Sequence, residues 1–531
     1  MPTGEELSNA EPEVTHQVLL IPLDSRPPCS KLLIDNGHTA GISIITPPTE
    51  YMDYYTQAGE TGKLREWTAT QIHTCDRAII SIDQLLYGGL IASRNNHITN
   101  NDITALVKYL EQLHKDNPAV KLYAFSILPR MNPPDIVENF HDRKQIMEWS
   151  RLIHQYDNSP HSETLDKIKQ LEQDISPDHL RLYREIYDRN FYLNCQLAQL
   201  VENGTLHQLV LGQDDGEALS LPNLKLQEFC HYAEKKGLSK DKLAVIHGAD
   251  EVALSILANL AAEYNPQSHP LNVYVDYSSS EAAHRLLPYM AIDNEATATE
   301  RLNFHKAKLV NSPDEADYIL FISSTGKDTM NCRQDSLHKL NEYHRAGKYV
   351  ALVDLTQSFS AQEALFPLLL KEEYPVNSLI AYAGWNTASN SIGTAVAQAA
   401  MYLTALSGGG DQDAIVCRNL RNLNNRFCED YYYLKDVIDL VNINLRKKGY
   451  MNVYDLDLQH NYLWSTDMLQ NTMKQRLTQY KHSAAAKKPF TLKDSSTTYQ
   501  ISDILLEAYF PWPRTFEINL DTTLKIRKGQ K

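Results

Sequence analysis

Short apolar, β-branched runs recur along the first three quarters of the chain. Each ends in polar or glycine-rich residues and is followed by a segment of helical character. The runs are Val18–Leu23, Ile42–Thr46, Ala78–Ile82, Leu122–Leu128, Gln208–Leu211, Leu243–Ile246, Val273–Val275, Tyr318–Ile322, Tyr349–Val353 and Leu379–Tyr382. Nearly unbroken apolar runs mark strands covered on both faces, as in a parallel sheet. Their alternation with helices predicts βαβ units. Ten strands exceed a simple eight-stranded barrel. The pattern is read as an α/β fold with a barrel-like (β/α) body of parallel strands and extra βαβ elements at about 271–325. Two doubly wound α/β domains are the alternative arrangement.

Residues from about 132 to 204 are helical in pattern and mostly polar, which predicts a helical insertion between two strands. Ser407-Gly408-Gly409-Gly410-Asp411 reads as a turn or linker. The expected division is a flexible tail at 1–16, an α/β catalytic body at 17–406 and a C-terminal extension at 411–531 packed on that body. The extension opens with helices. Phe516–Leu520 and Thr523–Ile526 read as a closing hairpin, with frayed residues after it. Phe510-Pro511-Trp512-Pro513-Arg514 is a stiff run, expected to dock Trp512 and Arg514 against the body.

Composition narrows the partners. The chain has 531 residues and a net charge of −15, which argues against nucleic acid or an anionic membrane surface. A small, neutral or weakly charged substrate is easier to accommodate. The acidic N-terminus lacks the basic-then-apolar pattern of a signal peptide. No stretch approaches 18 consecutive apolar residues, so no transmembrane helix is expected. Seven cysteines stand singly, without paired spacing, and read as reduced thiols of a cytoplasmic protein. The oligomeric state is left open.

In parallel α/β folds, ligands bind beyond the carboxyl ends of the strands. Those ends hold Asp24 and Arg26, Asp83, Arg130, the pair Asp214-Asp215, the pair Asp250-Glu251, Asp354, and Trp385-Asn386. Tyr87 and Arg94 follow Asp83 in a glycine-containing loop that permits close backbone approach. A single acid at a strand end is as consistent with capping the next helix as with a site, and this applies to Asp24, Asp83 and Asp354. Two adjacent acids at each of two successive strand ends are harder to assign to capping. Neighbouring carboxylates repel, which raises at least one pKa and lets one act as acid while the other stays charged. Trp385 offers an apolar platform for a sugar ring or a plug for the sheet end. Arg26, Arg94 and Arg130 either bind an anionic group or pair with the acids. No GxGxxG, Walker, GxSxG, CxxC or HExxH pattern is present, so no metal or cofactor is expected.

Several of these segments together resemble a bacterial family of unknown function, DUF4127. They are Pro22–Pro27, Tyr87–Arg94, Asp188–Phe191, Gly212–Asp215, Gly248–Glu251, Ala383–Thr387 and Pro511–Glu517. A second, local resemblance is carried by His247-Gly248-Ala249-Asp250-Glu251-Val252, which is similar to the H-x-G-G-D-E-V element of the β-N-acetylhexosaminidases. It lacks one residue after the histidine, has Ala249 in place of a glycine, and follows the sixth strand rather than the fourth. That resemblance implies Glu251 as general acid and Asp250 as the carboxylate that orients the substrate's acetamido group. Asp214-Asp215 is similar to the adjacent aspartates of another acetamido-assisted glycosidase family, where the first orients and the second protonates. The two assignments compete.

The expectation is therefore a glycoside hydrolase acting on an N-acetylated amino sugar by substrate assistance. Asp250, Glu251, Asp214 and Asp215 are the catalytic candidates. Asp24, Arg26, Asp83, Tyr87, Arg94, Arg130, Trp385 and Asn386 are the substrate-binding ones. A protein nucleophile would instead need two separated carboxyls, which Asp215 and Glu251 could supply. The alternatives are a metal-dependent hydrolase or lyase using Asp24, Asp83, Asp214 and Asp250, and a sugar-binding sensor.

Overall fold

A computed structural model describes residues 5–7, 15–94, 98–325, 330–493 and 495–530. The first strand, β1 (Glu5–Leu7), belongs to a sheet completed only at the C-terminus. Six strands follow: β2 (His16–Ile21), β3 (Ile42–Ile45), β4 (Arg77–Ser81), β5 (Lys121–Leu128), β6 (Gln208–Gln213) and β7 (Leu243–His247). They form one parallel sheet in the order β3-β2-β4-β5-β6-β7. The next five are β8 (Asn272–Tyr277), β9 (Lys308–Leu309), β10 (Tyr318–Thr325), β11 (Val350–Thr356) and β12 (Ala381–Ala383). They form a second parallel sheet in the order β12-β11-β10-β8-β9.

All ten runs picked out by the hydrophobic pattern are strands, and the two-residue β9 escaped it. The α/β class holds, but the strands are shared between two open sheets and do not form one barrel-like body. Segment 271–325 is correspondingly no appendage; it supplies three of the five strands of the second sheet. An apolar run records that a strand is covered on both faces, not which strand lies beside it. In both sheets the first strand sits one place in from an edge and its successor takes that edge. The chain then passes back across the first strand to build the rest.

Interior strands show the burial that parallel sheets demand. β10 is buried at every position and β5 at all but its first residue, whereas edge strands β3 and β7 are only partly buried. Alternate residues of β2 serve opposite faces. Leu19 and Ile21 pack with Leu106, Leu110 and Leu197, while Val18 and Leu20 pack with Phe125, Leu254 and Leu257. Between β5 and β6 run three helices, Phe140–Asn158, Ser162–Asp174 and Pro177–Glu202, in the place of the expected insertion.

The helix Ala388–Ser407 joins the two halves. Its Ile392 and Val396 pack into the core of the second sheet, and its Ala397 and Met401 into the core of the first. Small residues let it lie close on both sides. At Gly393 a Cβ would meet Cγ of Glu251 at 2.7 Å and the guanidinium carbon of Arg301 at 3.2 Å, so only glycine fits above that pair. Among the described residues no helix is long and apolar enough to cross a membrane.

The third sheet is antiparallel, in the order β1-β15-β14-β13, with β13 (Phe490–Thr491), β14 (Thr497–Tyr509) and β15 (Asn519–Gln530). Here the hairpin expectation fails: 516–520 and 523–526 are not its two arms. Thr522 is a strand residue whose N–H and hydroxyl both donate to Asn425 Oδ1, so Asp521-Thr522 makes no turn. The true arms are β14 and β15, and the terminal residues to Gln530 are paired, not frayed. Glu5–Leu7 pair with Ile526–Lys528, which removes them from the flexible tail; the rest of residues 1–14 lies outside the described residues.

Trp512 is almost fully buried, and its indole N–H donates to Ser25 Oγ at 2.8 Å, beside the end of β2. Trp512→Ala should therefore destabilise the protein by roughly 3–5 kcal/mol, as for other large aromatic truncations in a core. A melting temperature equal to wild type would contradict this docking.

Candidate functional site

Beyond the carboxyl ends of β6, β7 and β12 lies a narrow cleft. Its walls are the loop Gln213–Gly216, the turn His247–Asp250, Tyr289, and Asn386–Asn390 at the start of the helix Ala388–Ser407. An adjoining small chamber shares Tyr289, Asn386 and Thr387 with it and reaches Trp385 and Thr356. The cleft thus lies where the strand ends of the two sheets face each other. A larger cavity, about 690 Å³, runs along the free edge of β7, away from the acidic pairs.

One buried cation organises the floor. The Arg26 guanidinium bonds Asp24 through Nε at 3.0 Å and Nη2 at 2.6 Å, and Asp250 Oδ1 through Nη2 at 2.6 Å. Burial opposes its charge, but Asp24 and Asp250 more than offset this, and its pKa lies well above the usual guanidinium value. Asn390 Nδ2 donates to the other oxygen of Asp250 at 3.2 Å. Trp512 closes the assembly, with Arg26 5.4 Å from its ring centre. Below, Ser25 N–H donates to Asp53 at 2.9 Å, and Asp53 is pushed up to about 8 by burial and by Asp24.

The pair after β6 is arranged differently. Asp214 Oδ2 is ion-paired with Arg94 Nη2 at 3.0 Å, while its Oδ1 accepts the Asp215 backbone N–H at 2.9 Å. Asp215 is pushed up to about 7, first by burial and then by Asp214. Both line the cleft. One member is therefore held beside a cation and the other biased toward its protonated form, the asymmetry that acid chemistry near neutral pH needs.

The two members of the pair after β7 are placed differently. Asp250 lines the cleft, but Glu251 is fully buried in contact with Arg301, which is also fully buried. Burial pushes Glu251 up to about 7 against the pull of Arg301. It lies beneath the helix Ala388–Ser407, under Gly393, and not in the cleft wall.

Other candidates divide similarly. Asp83 is buried and accepts the Ile127 N–H at 2.8 Å; burial pushes it up to about 7. Capping of its helix falls to Ser81, which accepts from Gln84 N–H. Asp354 is a true cap, accepting the N–H groups of Leu365 and Phe366. Tyr87 is buried under Arg189, outside the cleft wall. Trp385 plugs the end of the second sheet, its N–H donating to Thr394 at 3.2 Å; the exposed aromatic of the cleft is Tyr289. Arg130 stands near Asp214 and Asp215, its pKa lowered by burial and by Arg94. Asn386 lines the cleft with φ +47°, a left-handed strain that places its side chain at the junction of the two chambers.

A hard cation is poorly served. Among the described residues, Asp24, Cys29 and Asp250 offer atoms within 4.8 Å of one another, but Arg26 already bonds both carboxylates, and burial raises the Cys29 thiol well above its usual pKa. Asp214 and Asp83 have partners of their own. Among the described residues, the four aspartates of the metal alternative do not form a group with ligand atoms within 4.8 Å of one another. Sequence reasoning passed over Gln213, Tyr289 and Asp53. Gln213 was within reach, since it stands inside the segment Gly212–Asp215.

Asp53, Asp83 and Asp215 all titrate in the fold near 7 or 8, above the roughly 4 of an unfolded chain. A carboxyl raised in this way stabilises the fold fully below the unfolded pKa and loses that contribution as pH rises through the folded one. The melting temperature should therefore fall between about pH 5.5 and about pH 8.5. Asp53→Asn keeps an acceptor for Ser25 but does not ionise, and should flatten that fall. A rising melting temperature, or a slope untouched by the substitution, would contradict these assignments.

No curated protein and no solved structure matches the chain. The family model for a protein of unknown function, DUF4127, matches residues 18–521, from the strand carrying Asp24 past the docked Trp512. The chain belongs to the DUF4127 family.

Proposed function

We propose that the chain is a glycoside hydrolase acting on an N-acetylated amino sugar, with the substrate's own acetamido oxygen as nucleophile. The Asp214-Asp215 pair carries this reading: two adjacent carboxyls in one cleft, one ion-paired with Arg94 and the other raised to about 7. Asp215 is the general acid. It gives its proton to the leaving oxygen as the acetamido carbonyl oxygen attacks C1 and the glycosidic bond breaks. Asp214 accepts the acetamido N–H and stabilises the positive charge that develops on the resulting ring. Water then adds at C1, the Asp215 carboxylate takes its proton, and the acetamido group is restored. Asp250, saturated by Arg26 and Asn390, binds and shapes without moving a proton. Tyr289, 56% exposed at the junction of the chambers, supplies the apolar face for a sugar ring. The cysteines, all unpaired, suit a reducing, cytoplasmic setting.

The test is turnover of chromogenic glycosides. Asp215→Asn should lower kcat/KM by about 10² to 10⁴, with a smaller loss for leaving groups that need no proton. The alkaline limb near pH 7 should vanish with it. Glu251→Gln should act mainly on stability. The 2-hydroxy glycoside should scarcely react. Equal turnover of the 2-hydroxy substrate would reject the acetamido nucleophile. A full-strength Asp215→Asn enzyme would reject the acid, and sugar binding without any turnover would identify a sensor.

A further inference from the structure

Gln213 ends β6 in the interior of the first sheet, paired with Leu128 on one side and His247 on the other. Its carbonyl accepts the Gly248 N–H at 2.7 Å, so the backbone is held from both directions. The side chain is 3% exposed and forms part of the cleft wall. Yet neither Oε1 nor Nε2 has a hydrogen-bond partner among the described residues.

This is unusual on physical grounds, since buried side-chain amides are nearly always bonded, and an unmade bond costs about 1–3 kcal/mol. Its neighbours show the contrast. Asp250 is satisfied by Arg26 and Asn390, Asp214 by Arg94, and Thr387 and Ser389 by each other. Among the described residues, Gln213 is the one buried side chain of the cleft wall whose polar atoms are all unpaired.

The chemistry of the wall restricts what can satisfy it. Asp214, ion-paired with Arg94, is an acceptor and attracts the N–H and O–H groups of a ligand. A ligand's carbonyl oxygen can be met only by a donor, and Gln213 Nε2 is an uncommitted one beside those acids. We propose that Gln213 is the specificity-determining residue for the acetamido group. Nε2 donates to the acetamido carbonyl oxygen. Seated between Nε2 and the carboxylate of Asp214, the acetamido plane cannot rotate about its bond to the ring. The assignment rests on the amino-sugar reading of the cleft, and it makes Gln213 the reader of the substituent that reading requires.

Two substitutions separate the possibilities. Gln213→Glu keeps the shape but replaces the donor with an acceptor; Gln213→Met keeps the length without polar atoms. Calorimetry on the full chain would give Kd for the free N-acetylated amino sugar and for its 2-hydroxy parent, beside kcat/KM on the matching chromogenic glycosides. Both variants should weaken the acetamido sugar by roughly 10- to 100-fold and leave the 2-hydroxy parent within about twofold, a ratio that general damage to the cleft would not produce. Gln213→Met should melt no lower than wild type, because no protein hydrogen bond is lost. Preference for the acetamido sugar retained in both variants would overturn the assignment while leaving the hydrolase standing. Preference lost in the variants of a protein that turns over no glycoside would uphold Gln213 and reject the hydrolase. Wild-type protein that binds neither sugar would overturn both.

Discussion

Much of this structure depends on one buried cation. Arg26 lies between Asp24 and Asp250, two buried carboxylates whose like charges it bridges. A guanidinium answers both because its nitrogens diverge in one plane. Through it the loop after β2 is tied to the turn after β7, and through Asn390 to the helix that joins the two sheets. Trp512 covers the remaining face. Four distant stretches of sequence thus meet on one charge, and removing that charge would leave two buried carboxylates unpaired.

The acid pairs illustrate how the same residue types take different work from their surroundings. Asp214 and Asp215 stand at a strand end open to the cleft, where burial first and then the neighbouring Asp214 push Asp215 up. Glu251 is one residue past Asp250, yet the start of its helix turns it inward, under Gly393, where Arg301 meets it. A carboxyl enclosed this way holds a helix in place and is withheld from substrate.

The sequence exposed the strands and their polar ends because burial on both faces leaves an unbroken apolar run. Membership of a sheet was hidden, since β7 and β8 look alike in pattern while belonging to different sheets. The partner of Glu251 was hidden for a related reason: Arg301 lies fifty positions away, on a helix with no signal of its own. β14 was overlooked because a register shift between Ile501 and Asp503 interrupts the alternation that would announce a half-buried strand. Gln213 gave no signal through type, since a glutamine at a strand end is unremarkable until its amide is found without a partner.

The pairing of β1 with β15 joins residues as far apart in the sequence as Glu5 and Lys528. During synthesis the strands of the first sheet are all available before the second sheet begins, whereas the third sheet waits for β15. Trp512, which covers Arg26, also arrives late. A nascent or prematurely terminated chain that stops before Trp512 therefore carries the acids of the first sheet without the ring that seals them.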